Sequence, residues 1–309
     1  MGLYGEIAAL LTAVCWSFNS VVFTWAGKRV GSVTVNSVRL WTAFPVLLLL
    51  HWGLYGTPFP FDIDMRRFLL LGVSGLIGFV AGDTMLFESF LLIGPRLAML
   101  LALLVPVFST VLAWAWLGET LRLPQIISIA VTILGVAWVV AEKTSADAAT
   151  PSPATPSTAP GRPRQYRLGI ALAVGGAAGQ ALGLLFSRLG LAGGYSAISA
   201  TQVRVGAGGL VLAIAGIFQG NLRRHWTRMK DKTALLQITA GSLTGPVLGV
   251  ILSLVAIAHT QIGVASTLMS LTPVLLLPVS YLLFREKITP RAIFGTLIAL
   301  LGVVLLFSI

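Results

Sequence analysis

Asp83 and Glu88 stand in an otherwise apolar stretch, residues 68–92, while Arg39 and Arg204 lie five and eight residues inside two others, 34–54 and 196–219. Residues of these types in such surroundings have a short list of uses. A carboxylate can hold a proton, bind the charged group of a solute or pair with a cation, and a guanidinium can neutralise an acid or clamp a carboxylate. An ionised side chain inside a membrane helix costs at least about 2.5 kcal/mol, so it is expected to face a cavity or a partner. On one continuous helix Asp83 lies about 22 Å along and Glu88 about 30 Å, and their five-residue spacing sets them about 140° apart. They are therefore not one carboxylate cluster. Asp83, the deeper, is the first candidate for a solute or proton pathway and Glu88 the second. The structural alternative is that Asp83 bonds a neighbouring helix and Glu88 snorkels. Arg39 and Arg204 serve a shared scaffold, neutralise one of these acids, or bind a carboxylate.

Asn19, Trp16, Gln180 and Gln202 are polar or amphipathic groups suited to lining a wet cavity, although each alone is more often an interhelical hydrogen bond or an interface marker. His51 and His259 fall near helix ends and His225 in a loop, so none is read as a metal ligand, and no cofactor is expected. Paired acid–base chemistry needs clustered His, Asp, Glu or Cys, and the scattered histidines and divergent acids do not supply it. An enzyme is therefore not expected. A channel would repeat a polar line through several helices, whereas here the polar residues differ between the two halves.

The elements that must position these groups follow from composition. Charged residues are 10% of 309 and apolar residues 56%, which cannot make a soluble surface. Spanning about 30 Å of hydrocarbon takes about 20 apolar residues. Segments of that kind occur at 5–27, 34–54, 68–92, 96–117, 123–141, 168–190, 196–219, 234–258, 263–284 and 290–308. They lack the alternation of barrel strands, so they are predicted to be helices. The first is kept as a membrane helix, because residues 1–6 carry no Lys or Arg and its apolar run exceeds that of a signal peptide. Cys15 is the sole cysteine and excludes an intramolecular disulfide. The net charge of +11 reads as loop Lys and Arg that set orientation, not as a nucleic-acid surface. Loops after the odd-numbered helices hold 15 of these residues against about three on the other face, which places both termini outside.

Residues 145–166, rich in Ala, Thr, Ser and Pro, read as a polar linker between five-helix units at 1–144 and 167–309. At a constant offset of 167, Gly78 meets Gly245, Gly82 meets Gly249, Ala98 meets Ala265, Pro106 meets Pro273, Val107 meets Val274, Glu119 meets Glu286 and Gly135 meets Gly302. At an offset of 165, Val38 and Arg39 meet Val203 and Arg204. Five spans per unit make the repeats inverted, the basis of alternating access. The predicted fold is thus all-α: about ten transmembrane helices in two inverted five-helix repeats. The counterparts of Asp83 and Glu88 are Val250 and Val255, an asymmetry that suits binding more than scaffolding. Glycines four residues apart mark close helix contacts, and Pro106 and Pro273 are expected to bend or hinge the middles of helices 4 and 9. Glu119 and Glu286 are expected to cap those helices or fix their loops.

The run GLIGFVAGDTMLFESFLLIGPRLAMLLALLVPVFSTVLAWAWLGETL at 75–121 and its echo GVASTLMSLTPVLLLPVSYLLFREKIT at 263–289 resemble the drug/metabolite transporter superfamily in its ten-helix EamA-type branch. Arg285 departs from the pattern, standing where the first repeat has Gly118, so the turn before Glu286 is expected to differ. The resemblance implies a secondary transporter, mostly an exporter of amino acids, other metabolites or drug-like compounds, in a bacterial inner membrane. It implies no universal set of binding residues. The expected partners are the lipid bilayer, a small solute and protons, with the chain working as a monomer or homodimer. No phosphate-cradling glycine loop is present, so facilitated diffusion, exchange or proton coupling remain, the last through Asp83. A lipid or lipid-linked sugar translocator is the alternative.

Overall fold

The computed structural model describes residues 3–117, 122–149, 162–218, 230–259, 268–285 and 288–308, and all regular structure among them is helical. In the first repeat these are α1 (Tyr4–Val30), α2 (Ser32–Tyr55), α3 (Met65–Ile93), α4 (Pro95–Leu101 with Leu104–Leu117) and α5 (Leu123–Ala149). The second has α6 (Arg162–Gly190), α7 (Ala197–Phe218), α8 (Lys232–Ser242, Leu243–Gly249 and Val250–His259), α9 (Thr272–Phe284) and α10 (Pro290–Ser308). The first eight contain stretches long and apolar enough to cross a membrane, and α9 and α10 are shorter apolar helices. Large apolar side chains such as Trp116, Leu134, Leu236 and Leu282 are exposed, as a lipid-facing surface requires. The chain is an integral, multi-pass membrane protein. Of the linker range, 145–149 continue α5 and 162–166 begin α6. The remainder, like Glu119 and Glu286, lies outside the described residues.

The duplication extends to features that the glycine and proline matches do not reveal. Asp64 and Asp231, 167 residues apart, both cap helix N-termini, accepting hydrogen bonds from Arg67 N at 2.9 Å and Ala234 N at 3.0 Å. Both α3 and α8 then open into a wide π turn at the same register, Leu76–Gly82 and Leu243–Gly249. Neither helix is the uninterrupted α-helix that apolar length suggests. Such turns cost hydrogen-bond regularity and are found mostly at functional places.

Packing exchanges helices between the repeats. The α3 helix runs antiparallel along α6: Leu71 lies at Gly190, Gly78 at Gly183, Gly82 at Gly176 and Ile93 at Gly169. Its counterpart α8 runs antiparallel along α1, with Gly241 against Phe23, Gly245 against Asn19 and Gly249 against Trp16. Helices α2 and α7 pack together, as do α5 and α10, each pair joining equivalent members of the two units. These contacts fit a pseudo-two-fold axis in the membrane plane. A side chain at Gly183 would come 2.9 Å from the Gly78 Cα, and one at Gly135 would strike the backbone of Ala299, so the small residues set the interhelical distance.

Pro106 stands near the middle of the 95–116 span, where α4 is interrupted at Ala102–Leu103, the carbonyl four residues before it being the one that its missing N–H cannot bond, and Pro273 stands at the start of α9. The fourth helix restarts at Leu104 and α9 starts at Thr272, so each proline occupies a first turn. Its missing N–H is harmless there, because first-turn N–H groups have no helical partner. Arg285, at the end of α9, has φ 51°, the left-handed conformation that a glycine adopts without cost.

Two stability outcomes follow. Gly135→Ala should destabilise by about 1–3 kcal/mol through backbone overlap with α10, whereas Gly53→Ala, with nothing within 4 Å, should be neutral or stabilising. Arg285→Gly should stabilise by about 1 kcal/mol by removing a strained φ. Unfolding in detergent measures all three variants.

Candidate functional site

Asp83 follows directly on the wide turn of α3, and both of its carboxylate oxygens are engaged. Arg39 Nη2 of α2 donates to Oδ2 and closes an ion pair, while Gln180 Nε2 of α6 donates to Oδ1. Asp83 and Arg39 are 6% and 4% exposed, so water does not carry their charges. A buried pair of this kind persists only when its other valences are filled. Arg39 Nε donates to Asn36 Oδ1 at 2.8 Å, and Asn36 Nδ2 donates to Phe79 O at 2.8 Å and to Thr84 Oγ1 at 2.7 Å. The guanidinium of Arg39 also lies over the Phe87 ring at 4.7 Å, with Phe79 and Phe23 at 5.7 and 5.9 Å.

Arg204, the pseudo-symmetric mate of Arg39, comes to the same place from the other membrane face. Gly75 permits this: a side chain there would collide with the Arg204 carbonyl, so only glycine lets α3 and α7 touch. The Arg204 guanidinium lies 4.5 Å from the Phe79 ring centre, so both arginines flank one phenylalanine. Both stand seven residues into their helices, about 10 Å from opposite ends, which puts the cluster near the middle of a roughly 30 Å bilayer. It lies where α2, α3, α6 and α7 meet, and draws on both repeats.

The other predicted residues are distributed around this centre. Glu88 accepts a hydrogen bond from Ser32 Oγ on α2 and is separate from the Asp83 pair, as their angular spacing required. Asn19 and Trp16 sit on α1 against Gly245 and Gly249 of α8, at the place related by the repeat to Gln180 against Gly78 and Gly82. Gln202 is buried but ties α7 to the loop after α2 through a 2.6 Å bond from Nε2 to Pro58 O. His51 bridges Thr57 O and Ser199 Oγ at a helix end. No grouping of three metal-ligating side chains occurs among the described residues.

Sequence reasoning did not find Asn36, Phe79 or Gly75. Asn36 left one signal, three residues before Arg39 and thus on its helix face. Phe79 carried none, since a phenylalanine in an apolar helix reads as lipid-facing or core.

Inverted repeats that share a buried charged cluster at the midplane define a polytopic membrane protein with the architecture of a transporter. Residues 3–141 and 167–308 each match the EamA-like transporter family, and the chain belongs to that family. It is similar, at 28% identity over 130 residues, to an uncharacterized transporter of Archaeoglobus fulgidus. That alignment covers 42% of this chain and 46% of the relative, so it spans about half of either protein. The fold is shared with a crystal structure at a TM-score of 0.51 and 16% identity, covering 97% of this chain and 94% of the other.

Removing one partner of the central pair should cost more than removing both. Asp83→Asn leaves two buried guanidinium groups without an acid and should destabilise by about 3–5 kcal/mol, while adding Arg39→Gln should recover much of the loss. Equal instability of the single and double variants would show that the pair is not the source of the effect.

Proposed function

We propose that the protein is a secondary transporter that exports a small metabolite, amino acid or drug-like solute by alternating access, with Asp83 as the proton-coupling group. The observation that carries this reading is the Arg39–Asp83–Gln180 cluster, buried at the contact of four helices drawn from both repeats. Membership of the EamA-like transporter family supports transport as the activity class.

Asp83 links two neighbouring helices to α3, holding α2 through Arg39 and α6 through Gln180. Protonation of the carboxylate removes its charge and weakens both ties together, freeing α3 to shift against α6 along a contact of small residues. Protonation and solute binding then bias the same helix contacts, which is how coupling arises without nucleotide hydrolysis. At the two membrane faces, peripheral ties join the same helix pairs. Arg29 of α1 pairs with Asp231 of α8 at 2.8 Å, and Arg67 of α3 donates to the Gly190 carbonyl of α6 at 3.0 Å. They lie at opposite ends of the bundle, as two alternating gates would. The Arg29 hydrogen bond holds the half-buried Asp231 carboxyl below the usual range, so this tie is present at neutral pH and weakens as pH falls through that lowered value. The location proposed is a bacterial inner membrane with the Arg29–Asp231 face cytoplasmic, in keeping with the bias of loop Lys and Arg.

Flux into proteoliposomes tests the reading. An imposed pH gradient should drive solute accumulation by the native chain, and the Asp83→Asn/Arg39→Gln variant, chosen because it leaves the net buried charge unchanged, should lose the response to pH. Unchanged pH dependence in that variant defeats the proton role of Asp83. Absence of flux for amino acids, organic anions, organic cations and sugars alike defeats the transport reading.

A further inference from the structure

The charges at the cluster do not balance. Two guanidinium groups, Arg39 and Arg204, face one carboxylate, Asp83, whose two oxygens already accept hydrogen bonds from Arg39 and Gln180. The second intramembrane acid, Glu88, is engaged with Ser32 of α2. Arg204 is therefore one buried positive charge in excess. It is 9% exposed, its Nε is buried without a hydrogen-bond partner, and it donates no side-chain hydrogen bond among the described residues. A fixed cation of this kind, with a buried donor unfilled, is costly inside a membrane unless an anion completes it.

From this we infer that Arg204 is the substrate-binding residue of the site and that the solute is an organic monoanion carrying a carboxylate. The inference rests on the transport reading for its biological sense, but its binding test does not depend on it. Three features select the class. A single negative charge brings the cluster to neutrality, with Arg39–Asp83 and Arg204–solute as two complete pairs. A phosphate monoester, at about −1.5 to −2 near pH 7, overshoots that balance, and an organic cation meets two guanidinium groups with Asp83, the nearby acid among the described residues, already bound. The planar fork of Arg204 also fits a carboxylate in two-point contact.

Space and lining agree with this assignment. Gly78 lies directly beside the fork: a side-chain carbon there would sit 3.5 Å from Arg204 Nη2 and 3.9 Å from Gln180 Oε1, so glycine leaves that spot open. Phe79 holds the guanidinium plane from one side. Phe79 itself belongs to an apolar cluster with Leu40, Ala43, Leu47 and Val205, so the surroundings of the guanidinium on that side are hydrocarbon. In the second repeat the positions of Phe79 and Asp83 are Pro246 and Val250, so the fold supplies this site once.

Calorimetry and thermal unfolding of the purified full chain test the inference, using aliphatic and aromatic monocarboxylates, a zwitterionic amino acid, a phosphate monoester, a quaternary ammonium ion and phosphatidylglycerol as probes. At least one monocarboxylate should bind and raise the midpoint, and Arg204→Gln should weaken that binding at least about 30-fold. Without ligand, Arg204→Gln should unfold at the same temperature as the native chain or higher, because it removes an unpaired charge. Arg204→Lys, which keeps the charge and loses the fork, should bind with intermediate affinity and serves if the glutamine variant fails to fold. No binding by any carboxylate overturns the inference, as does binding that Arg204→Gln and Arg204→Lys leave unchanged. Arg204-dependent binding of phosphatidylglycerol alone overturns it in favour of a lipid headgroup. Binding of a carboxylate without flux sinks the transport reading and spares this one. Flux of a cation untouched by Arg204→Gln does the reverse.

Discussion

The ion pair between Arg39 and Asp83 joins two charges that hydrocarbon would otherwise reject, and much of the surrounding structure can be understood as what that pair needs. Its remaining hydrogen-bond capacity is filled by Asn36 and Gln180, and three phenylalanine rings take the face of the guanidinium. Each helper belongs to a different structural decision. Asn36 requires α2 to be helical in a particular register, and Gln180 requires α6 to lie antiparallel against α3. The glycines that bring α3 and α6 together are the condition for an acid in one helix to meet an amide in the other. Packing and electrostatics are one problem here, because a helix held a few ångströms further out would leave the carboxylate oxygen without its donor.

The wide turns of α3 and α8 show how repetition and divergence combine. Both repeats keep the turn at the same register, so it belongs to the shared scaffold. Only the first places a carboxylate immediately after it, and only the first uses a turn carbonyl, that of Phe79, to hold Asn36. The second has Pro246 inside the turn and Val250 after it, and its glycines pack on Asn19 and Trp16 instead. One half thus carries the carboxylate while the other keeps the matching turn, the arrangement expected when a symmetric frame serves an asymmetric ligand.

Much of the frame was legible in the residues themselves. Ten apolar segments, the offset that pairs Gly78 with Gly245 and Gly135 with Gly302, and the odd number of spans per unit lead to inverted helical repeats without reference to coordinates. Asp83 and Arg39 were legible as members of a site because charge in an apolar helix demands a reason. Their partnership was not, since 44 residues separate them and nothing in either helix specifies which faces meet. The interruption before Pro106 was not legible as a full break, because apolar length conceals one: residues 96–117 look continuous, yet a turn at Ala102–Leu103 divides them. The wide turns were hidden for the same reason, as an extra residue in a helical turn leaves composition unchanged.

The exchange of helices between the repeats has a consequence for how the chain is made. The face of α3 that bears Gly78, Gly82 and Asp83 is covered by α6, whose contacting residues run from Gly169 to Gly190. Synthesis at about 5–20 residues per second leaves that face waiting roughly 5–20 seconds for its cover. Throughout that interval Arg39 is the partner already at hand, since α2 precedes α3. The ion pair within the first half can thus form while the ribosome is still at work, and shelters a carboxylate that would otherwise meet lipid alone. Gln180 and Arg204 arrive afterwards, so the centre is assembled in the order in which its charges can be tolerated.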